Sequence, residues 1–138
     1  MHEEKSRCRF WLRVSPLRNS HVFPEFFYQR TYDSKHRAKF LTPLQFSEPA
    51  TVQKGIRERL LCDNCERRLS KHETYVATLL TQAEERFTLN VRGITIPKPN
   101  LVSLRLFALT VLWRAHESSE SMFADVDLGP LAELIRIR

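Results

Sequence analysis

Hydrophobic residues recur every three or four positions between residues 64 and 87, and polar residues fill the intervals. This period matches one face of an α-helix, so the segment predicts a long amphipathic helix. Residues 101–118 are apolar almost all round and follow Asn100, whose side chain suits a helix N-cap. We therefore predict a second long helix that packs in the core, with Trp113 as an anchor.

Short alternating patterns predict strands in other parts of the chain. Residues 8–14 (CRFWLRV) alternate approximately and predict a strand or short hairpin, and residues 87–96 predict a strand or a second small hairpin that prolines end. Residues 35–55 have no clean period and predict a long basic loop or a poorly formed strand pair. Together with the helices, these patterns predict an α+β fold that is mainly helical.

Prolines mark the starts of two further helices. Pro24 can occupy the first helical position of a segment that runs to Tyr32 and is closed by Asp33. Pro130 can open a last helix, which stops on Arg138 without a C-cap. We expect that helix to dock on a neighbour, as in a homo-oligomer, or to continue into further sequence.

Length and composition bound the class of protein. A chain of 138 residues fits one domain, residues 1–138, that can bury its own core. An apolar fraction of 42% excludes wholesale disorder, and the absence of a long uncharged apolar run argues against a membrane span. The N-terminus lacks the apolar region of a secretory signal, so we expect a cytoplasmic protein without a membrane partner.

The positive charge is concentrated in the first half of the chain. Residues 1–61 contain twelve Lys and Arg against six Asp and Glu, whereas residues 62–138 contain ten of each. The whole net charge of +6 therefore comes from the first half. Such an excess can face a polyanion such as nucleic acid, or it can form an ordinary solvated basic surface.

Two of the three cysteines, Cys62 and Cys65, form a C-x-x-C pair at the start of the predicted long helix. A helix N-terminus favours thiolates, and thiolates are ligands that zinc prefers. Cys8 is the third candidate ligand, but the position where a zinc knuckle presents its second cysteine holds Trp11. The alternative is that Cys8 and Trp11 only pack and the site has decayed. The fourth ligand is open among a carboxylate, water and three histidines, His2, His36 and His72.

The order of the motifs resembles the HNH endonuclease family and its ββα-metal, treble-clef-like zinc relatives. A hairpin with one cysteine is followed by SHVFP at residues 20–24 and by GIRERLLCDNCE at residues 55–66. With LRLFALTVLWRA and VDLGP near the C-terminus, the chain also looks like a group of bacterial proteins of the same plan. The resemblance implies a small ββα-metal zinc core over residues 1–75 and a helical extension over residues 76–138.

The resemblance also implies roles for individual residues. His21 matches the general base that activates a water against a phosphodiester. Glu66 stands where a histidine usually binds the catalytic metal, and a glutamate suits Mg²⁺ or Mn²⁺. Ser20 replaces the usual metal-binding aspartate, and Gln53 lies where an asparagine is expected. Glu73, one heptad after Glu66 and next to His72, is a second candidate carboxylate.

Basic residues on either side of the helix start are the candidate contacts to phosphate groups. They are Lys35, Arg37, Lys39, Arg67 and Arg68. The leading hypothesis is an HNH-like, metal-dependent nuclease that hydrolyses phosphodiester bonds in DNA. The alternative is a catalytically inactive, zinc-stabilised module that binds nucleic acid or another protein.

Overall fold

The computed structural model describes residues 5–29, 31–40, 50–52, 55–86, 89–90, 93–94 and 98–137. In these ranges, short strands pair as separate antiparallel two-stranded sheets: β1 with β2, β3 with β6, β4 with β5, and β7 with β8. The strands are β1 (Lys5–Arg7), β2 (Val14–Pro16), β3 (Ser20–His21), β4 (Ala38–Phe40), β5 (Ala50–Val52), β6 (Arg57–Glu58), β7 (Leu89–Asn90) and β8 (Gly93–Ile94).

Helices account for most of the regular structure, so the predicted α+β, mainly helical class is confirmed. Asn100 caps α3 as predicted, because its side chain accepts a hydrogen bond from the backbone N–H of Ser103 at 3.1 Å. None of the helices in the described ranges is long and apolar enough to span a membrane. The helices are α1 (Glu25–Gln29), α2 (Asp63–Arg86), α3 (Leu101–Glu117), a 3₁₀ turn (Ser121–Phe123) and α4 (Pro130–Ile137).

The first hairpin forms, but Val14 is the one residue of the CRFWLRV segment that belongs to a strand. The backbone N–H of Cys8 donates to the carbonyl of Arg13 at 2.9 Å, and the N–H of Leu12 donates to the carbonyl of Cys8 at 2.7 Å. Leu12 has a positive φ of 59°, which closes this turn. These local hydrogen bonds override the approximate alternation, so residues 8–13 connect β1 to β2.

The structure corrects the predicted end of α1 and supports two predicted strand pairs. α1 ends at Gln29, and not near Tyr32, because the N–H groups of Thr31 and Tyr32 turn back to the carbonyl of Tyr28. The pairing of β4 with β5 supports the strand-pair alternative for residues 35–55, and the pairing of β7 with β8 confirms the second hairpin. Gln53 lies outside the described residues.

The core lies between the first hairpin, the start of α2 and the second half of α3. Trp113 is fully buried there, as predicted, and its ring meets that of Phe10 edge-on with centroids 5.1 Å apart. The buried cluster contains Cys8, Phe10, Val22, Leu60, Leu61, Cys62, Cys65, Leu69, Trp113, Ala115 and Ala132. All three cysteines therefore belong to the best-packed part of the described fold.

α3 packs in the core, as predicted, along only part of its circumference. Leu106, Leu109 and Leu112 are exposed on its outer side, and Leu131 and Leu134 of α4 are exposed beside them. α3 packs against α2 and α4, and these neighbours cover only part of its circumference. An all-apolar helix is therefore compatible with one uncovered face.

Candidate metal centre and histidine cavity

The three cysteines converge on one point, which we call the cysteine cluster (Cys8, Cys62 and Cys65). Their sulfur atoms all lie within 4.8 Å of one another, and all three residues are buried with free thiols. Tetrahedral zinc with Zn–S bonds of about 2.3 Å holds its sulfurs about 3.8 Å apart. The cluster therefore has the donor type and spacing to bind a metal such as zinc.

Backbone hydrogen bonds bring the cluster together. The N–H of Arg9 donates to the carbonyl of Leu60 at 2.9 Å, and the N–H of Arg18 donates to the carbonyl of Leu61 at 2.8 Å. Leu17 also forms an isolated bridge to Cys62. The hairpin thus docks on the segment before α2, and Cys8 meets a C-x-x-C pair more than fifty residues away.

One cysteine of the cluster has a lowered pKa, which favours its thiolate, and another has a raised pKa, which favours its thiol. Burial acts to raise the pKa of Cys8, but the amide groups of Trp11, Cys62 and Phe10 outweigh it and bring that pKa below its ordinary value. The N–H of Cys62 lies 3.4 Å from the Cys8 sulfur. Burial, together with the neighbouring sulfurs, raises the pKa of Cys65. A bound cation would offset that repulsion, so metal binding and thiol deprotonation are linked.

In the described part of the chain, no fourth His, Cys, Asp or Glu joins the cysteine cluster. Trp11 stays 41% exposed, with the guanidinium of Arg13 over its ring. His36 contacts Tyr32 in the turn after α1, and His72 lies about 10 Å along α2 from Cys65. His2 lies outside the described residues. The described donors therefore supply three ligands, and a cleft lined by Trp11 and Cys62 opens beside them.

His21, the predicted general base, is oriented by residues from two elements. Its backbone lies in β3, opposite Arg57 of β6. Its Nε2 lies 2.5 Å from a carboxylate oxygen of Glu25 on α1 and 3.1 Å from Nε of Arg57. A protonated Nε2 donates to Glu25, whereas an unprotonated Nε2 accepts from Arg57, so the two contacts belong to different proton states. The imidazole is 15% exposed and lines a cavity of about 410 Å³, the His21 cavity.

Arg114 of α3 occupies the space between the two candidate carboxylates. One nitrogen of its guanidinium donates to Glu73 and to the carbonyl oxygen of His21 at 3.4 Å, and the other donates to Glu66 at 3.5 Å. Its side chain is only 2% exposed. We call Arg114, Glu66 and Glu73 the Arg114 cluster. Glu66 and Glu73 share one face of α2, as their spacing predicts, and both line the His21 cavity.

Sequence reasoning missed Arg114, although a signal for it exists. An arginine in an apolar helix is costly to bury unless a carboxylate pairs with it. Two glutamates on one face of the neighbouring helix are the partners that such an arginine requires.

The donors around His21 do not fit a hard divalent cation. Among the residues that the structure describes, the cysteine cluster is the one group of three or more His, Cys, Asp or Glu ligand atoms close enough to share an ion. Glu66 and Glu73 instead flank a guanidinium, and Ser20 takes the place of a metal-binding aspartate. One oxygen of Glu66 and Nε of Arg114 are buried without a hydrogen-bond partner in the described structure. Glu66, the predicted ligand of Mg²⁺ or Mn²⁺, is therefore already paired with the guanidinium of Arg114.

None of the five residues predicted to contact phosphate lines the His21 cavity. Arg37 pairs with Asp33 at 2.7 Å and Arg67 pairs with Asp63 at 2.7 Å, and in each pair the residues are four positions apart. The guanidinium of Arg68 lies over the ring of Phe10. Lys35 and Lys39 are exposed.

No family model, curated protein or solved structure matches this chain. The resemblance to the HNH family therefore rests on the SHVFP and C-x-x-C-E motifs and on their order along the chain.

Proposed function

We propose that this protein is a zinc-stabilised nucleic-acid-binding module built on an HNH-like scaffold. The observation that carries the proposal is the position of Arg114 between Glu66 and Glu73. A catalytic divalent ion at Glu66 would share that carboxylate with a buried guanidinium that also donates to the backbone of His21. The site favours a fixed scaffold over metal-dependent hydrolysis.

The zinc ion has a structural role in this proposal. Cys8, Cys62 and Cys65 join the first hairpin to α2 in the centre of the core, and their buried sulfurs suit a soft or borderline cation. The ion would neutralise the thiolates and hold the hairpin in place. It supplies stability and no chemical step.

The charge distribution supports nucleic acid as the partner. Residues 1–61, which contain the hairpin and the segment before α2, have twice as many basic as acidic residues. A polyanion is the partner class that such an excess attracts. The first hairpin and the segment before α2 also carry Cys8 and Cys62, so the metal would hold these two parts together.

Two measurements on the purified full chain test the proposal. Elemental analysis should find one zinc per chain, and fluorescence anisotropy should detect binding of labelled DNA or RNA with a strong salt dependence. Chelation of zinc should abolish that binding and lower the Tm of the protein. Tight binding by metal-free protein would contradict the structural role of zinc.

Phosphodiester hydrolysis with His21 as general base is the second candidate function. The observation that favours it is the orientation of the His21 imidazole by Glu25 inside an open cavity. Nicking of plasmid DNA by wild type, with Mg²⁺ or Mn²⁺ and with chelator, tests it against His21→Ala. Nicking that His21→Ala lacks would establish the nuclease, whereas equal traces from both proteins would indicate contamination.

A further inference from the structure

A cleft of about 530 Å³ lies between the first hairpin, the segment before α2 and α4. Four arginines line it, and three of them come from the basic first half of the chain. We call it the arginine cleft, and its arginines are Arg7, Arg9, Arg59 and Arg136. None of these four arginines is among the five basic residues that the sequence predicted as contacts to phosphate.

The charges in the arginine cleft are only partly neutralised. Glu133 pairs with Arg136 on its own helix, with Nε of Arg136 at 2.8 Å. Within the described ranges, Arg7, Arg9 and Arg59 have no carboxylate oxygen within 4 Å. Glu117 is the other acidic residue that lines the cleft. The described walls therefore retain a positive excess.

Hydrogen bonds hold the side chains of Arg7 and Arg136 and the backbone at Arg9 in place. Nε of Arg7 donates to the carbonyl of Leu12 at 3.1 Å, which leaves its terminal nitrogens available to a ligand. The backbone N–H of Arg9 donates to Leu60, the residue after Arg59, at 2.9 Å. Arg136 donates to the carbonyl of Phe10 at 3.2 Å. Three separate parts of the chain thus present guanidinium groups to one opening.

We propose that the arginine cleft binds the phosphate groups of a nucleic-acid backbone. This inference rests on the proposed function and assigns its binding surface. Guanidinium groups match phosphate oxygens in a planar, two-point geometry, and an open cleft admits a continuous chain of phosphates. Contacts of this kind position the nucleic acid without reading its sequence.

The experiment compares two double variants that remove the same charge. Arg9→Gln with Arg59→Gln removes two arginines of the cleft that have no ion pair among the described residues. Arg18→Gln with Arg105→Gln removes two exposed arginines that do not line the cleft. Affinity for a fluorescein-labelled 20-nucleotide DNA and its RNA counterpart is measured over a salt series, with circular dichroism as a check on folding.

We expect the cleft variant to lose at least about tenfold in affinity and to reduce the salt slope by about two. The control variant should stay close to wild type. Unchanged binding by the cleft variant, or equal losses from both variants, would overturn the inference and leave the proposed function standing.

Two further outcomes separate the inference from its premise. Wild type that binds neither DNA nor RNA would overturn the proposed function, and the inference with it. Labelled poly-glutamate that binds as tightly as nucleic acid, with the same loss in the cleft variant, would assign the cleft to an acidic protein and overturn the nucleic-acid assignment.

Discussion

Cys65 and Glu66 are neighbours on α2, yet they belong to clusters that handle charge in opposite ways. The cysteine cluster gathers three buried sulfur donors with no cationic side chain among them, so its thiolate form requires an ion from outside. The Arg114 cluster gathers two carboxylates around a cation that the chain itself supplies. The difference teaches that a set of acidic or sulfur ligands indicates a metal only after the nearby guanidinium groups have been located.

Loss of a metal ion from the cysteine cluster should have the largest effect on stability. Cys65→Ser removes one of three ligands, so we expect loss of bound zinc and a fall in Tm of more than about 10 °C. Zinc content by elemental analysis and thermal melting by circular dichroism measure both effects. A strong chelator should lower the Tm of wild type and leave that of Cys65→Ser unchanged. A wild-type melt that does not respond to chelator would break the comparison.

Removal of the internal cation should come next. Arg114→Met leaves Glu66 and Glu73 partly buried without their counter-charge, so we expect a loss of about 3–5 kcal/mol in the free energy of unfolding. Urea denaturation measures it, with Arg105→Met, an exposed arginine on the same helix, as the matched control.

Two additions to the Arg114→Met variant sharpen the result. Adding Glu66→Gln and Glu73→Gln should restore part of the stability, because no buried carboxylate then lacks a partner. Mn²⁺ should raise the Tm of Arg114→Met and leave that of wild type unchanged. A wild-type protein stabilised by Mn²⁺ would mean that the guanidinium does not exclude a divalent ion.

A fourth thiolate should strengthen the external-cation site. Trp11→Cys places a sulfur at the position where a zinc knuckle has its second cysteine, and Trp11 is exposed enough for its loss to cost little packing. We expect zinc affinity to rise by at least about tenfold, a change of about 1.4 kcal/mol. Competition with a chromophoric chelator measures it. Arg13→Cys, two residues further along the turn, should leave the affinity unchanged; an equal gain there would contradict the predicted ligand position.

Substitution of Glu58 should have the smallest effect on stability. Hydrogen bonds, and not a paired cation, stabilise this carboxylate. Burial acts to raise its pKa, but hydrogen bonds from Ser118 and Ser119 outweigh it and place the pKa below 4.5. Because the folded state prefers the ionised form, its contribution is complete above the unfolded pKa and is lost as pH falls through the folded pKa. We expect Glu58→Gln to lower stability by about 1 kcal/mol at pH 7. The gap from wild type should narrow below pH 4.5, and a gap that widens on acidification would contradict this assignment.

Local signals made much of the fold predictable. Asn100 and Pro130 mark the starts of α3 and α4, since an N-cap side chain and a proline at the first helical position act within one turn. The cysteine cluster was also predictable, because Cys62 and Cys65 have the spacing of a ligand pair and Cys8 was the one remaining cysteine.

The contacts that decide function were not predictable in the same way. The arginine cleft joins residues near both ends of the chain, and the Arg114 cluster joins two helices, so both depend on tertiary packing. Asp33 lies four residues before Arg37 and Asp63 four before Arg67, a spacing that commonly pairs opposite charges, so these two ion pairs were predictable from the sequence.

The separation of Cys8 from Cys62 along the chain makes a bound ion a cross-link as well as a ligand centre. These positions are 54 residues apart, and β2, β3, α1, β4, β5 and β6 lie between them, so an ion that bridges them closes one long loop around this part of the fold. By the chain-entropy relation used for disulfides, closing a loop of that length removes about 4 kcal/mol of conformational freedom from the unfolded chain. A bound metal would then affect the rate at which the hairpin docks on α2 as well as the stability of the docked state. Long-range closure is the slow entropic step of folding.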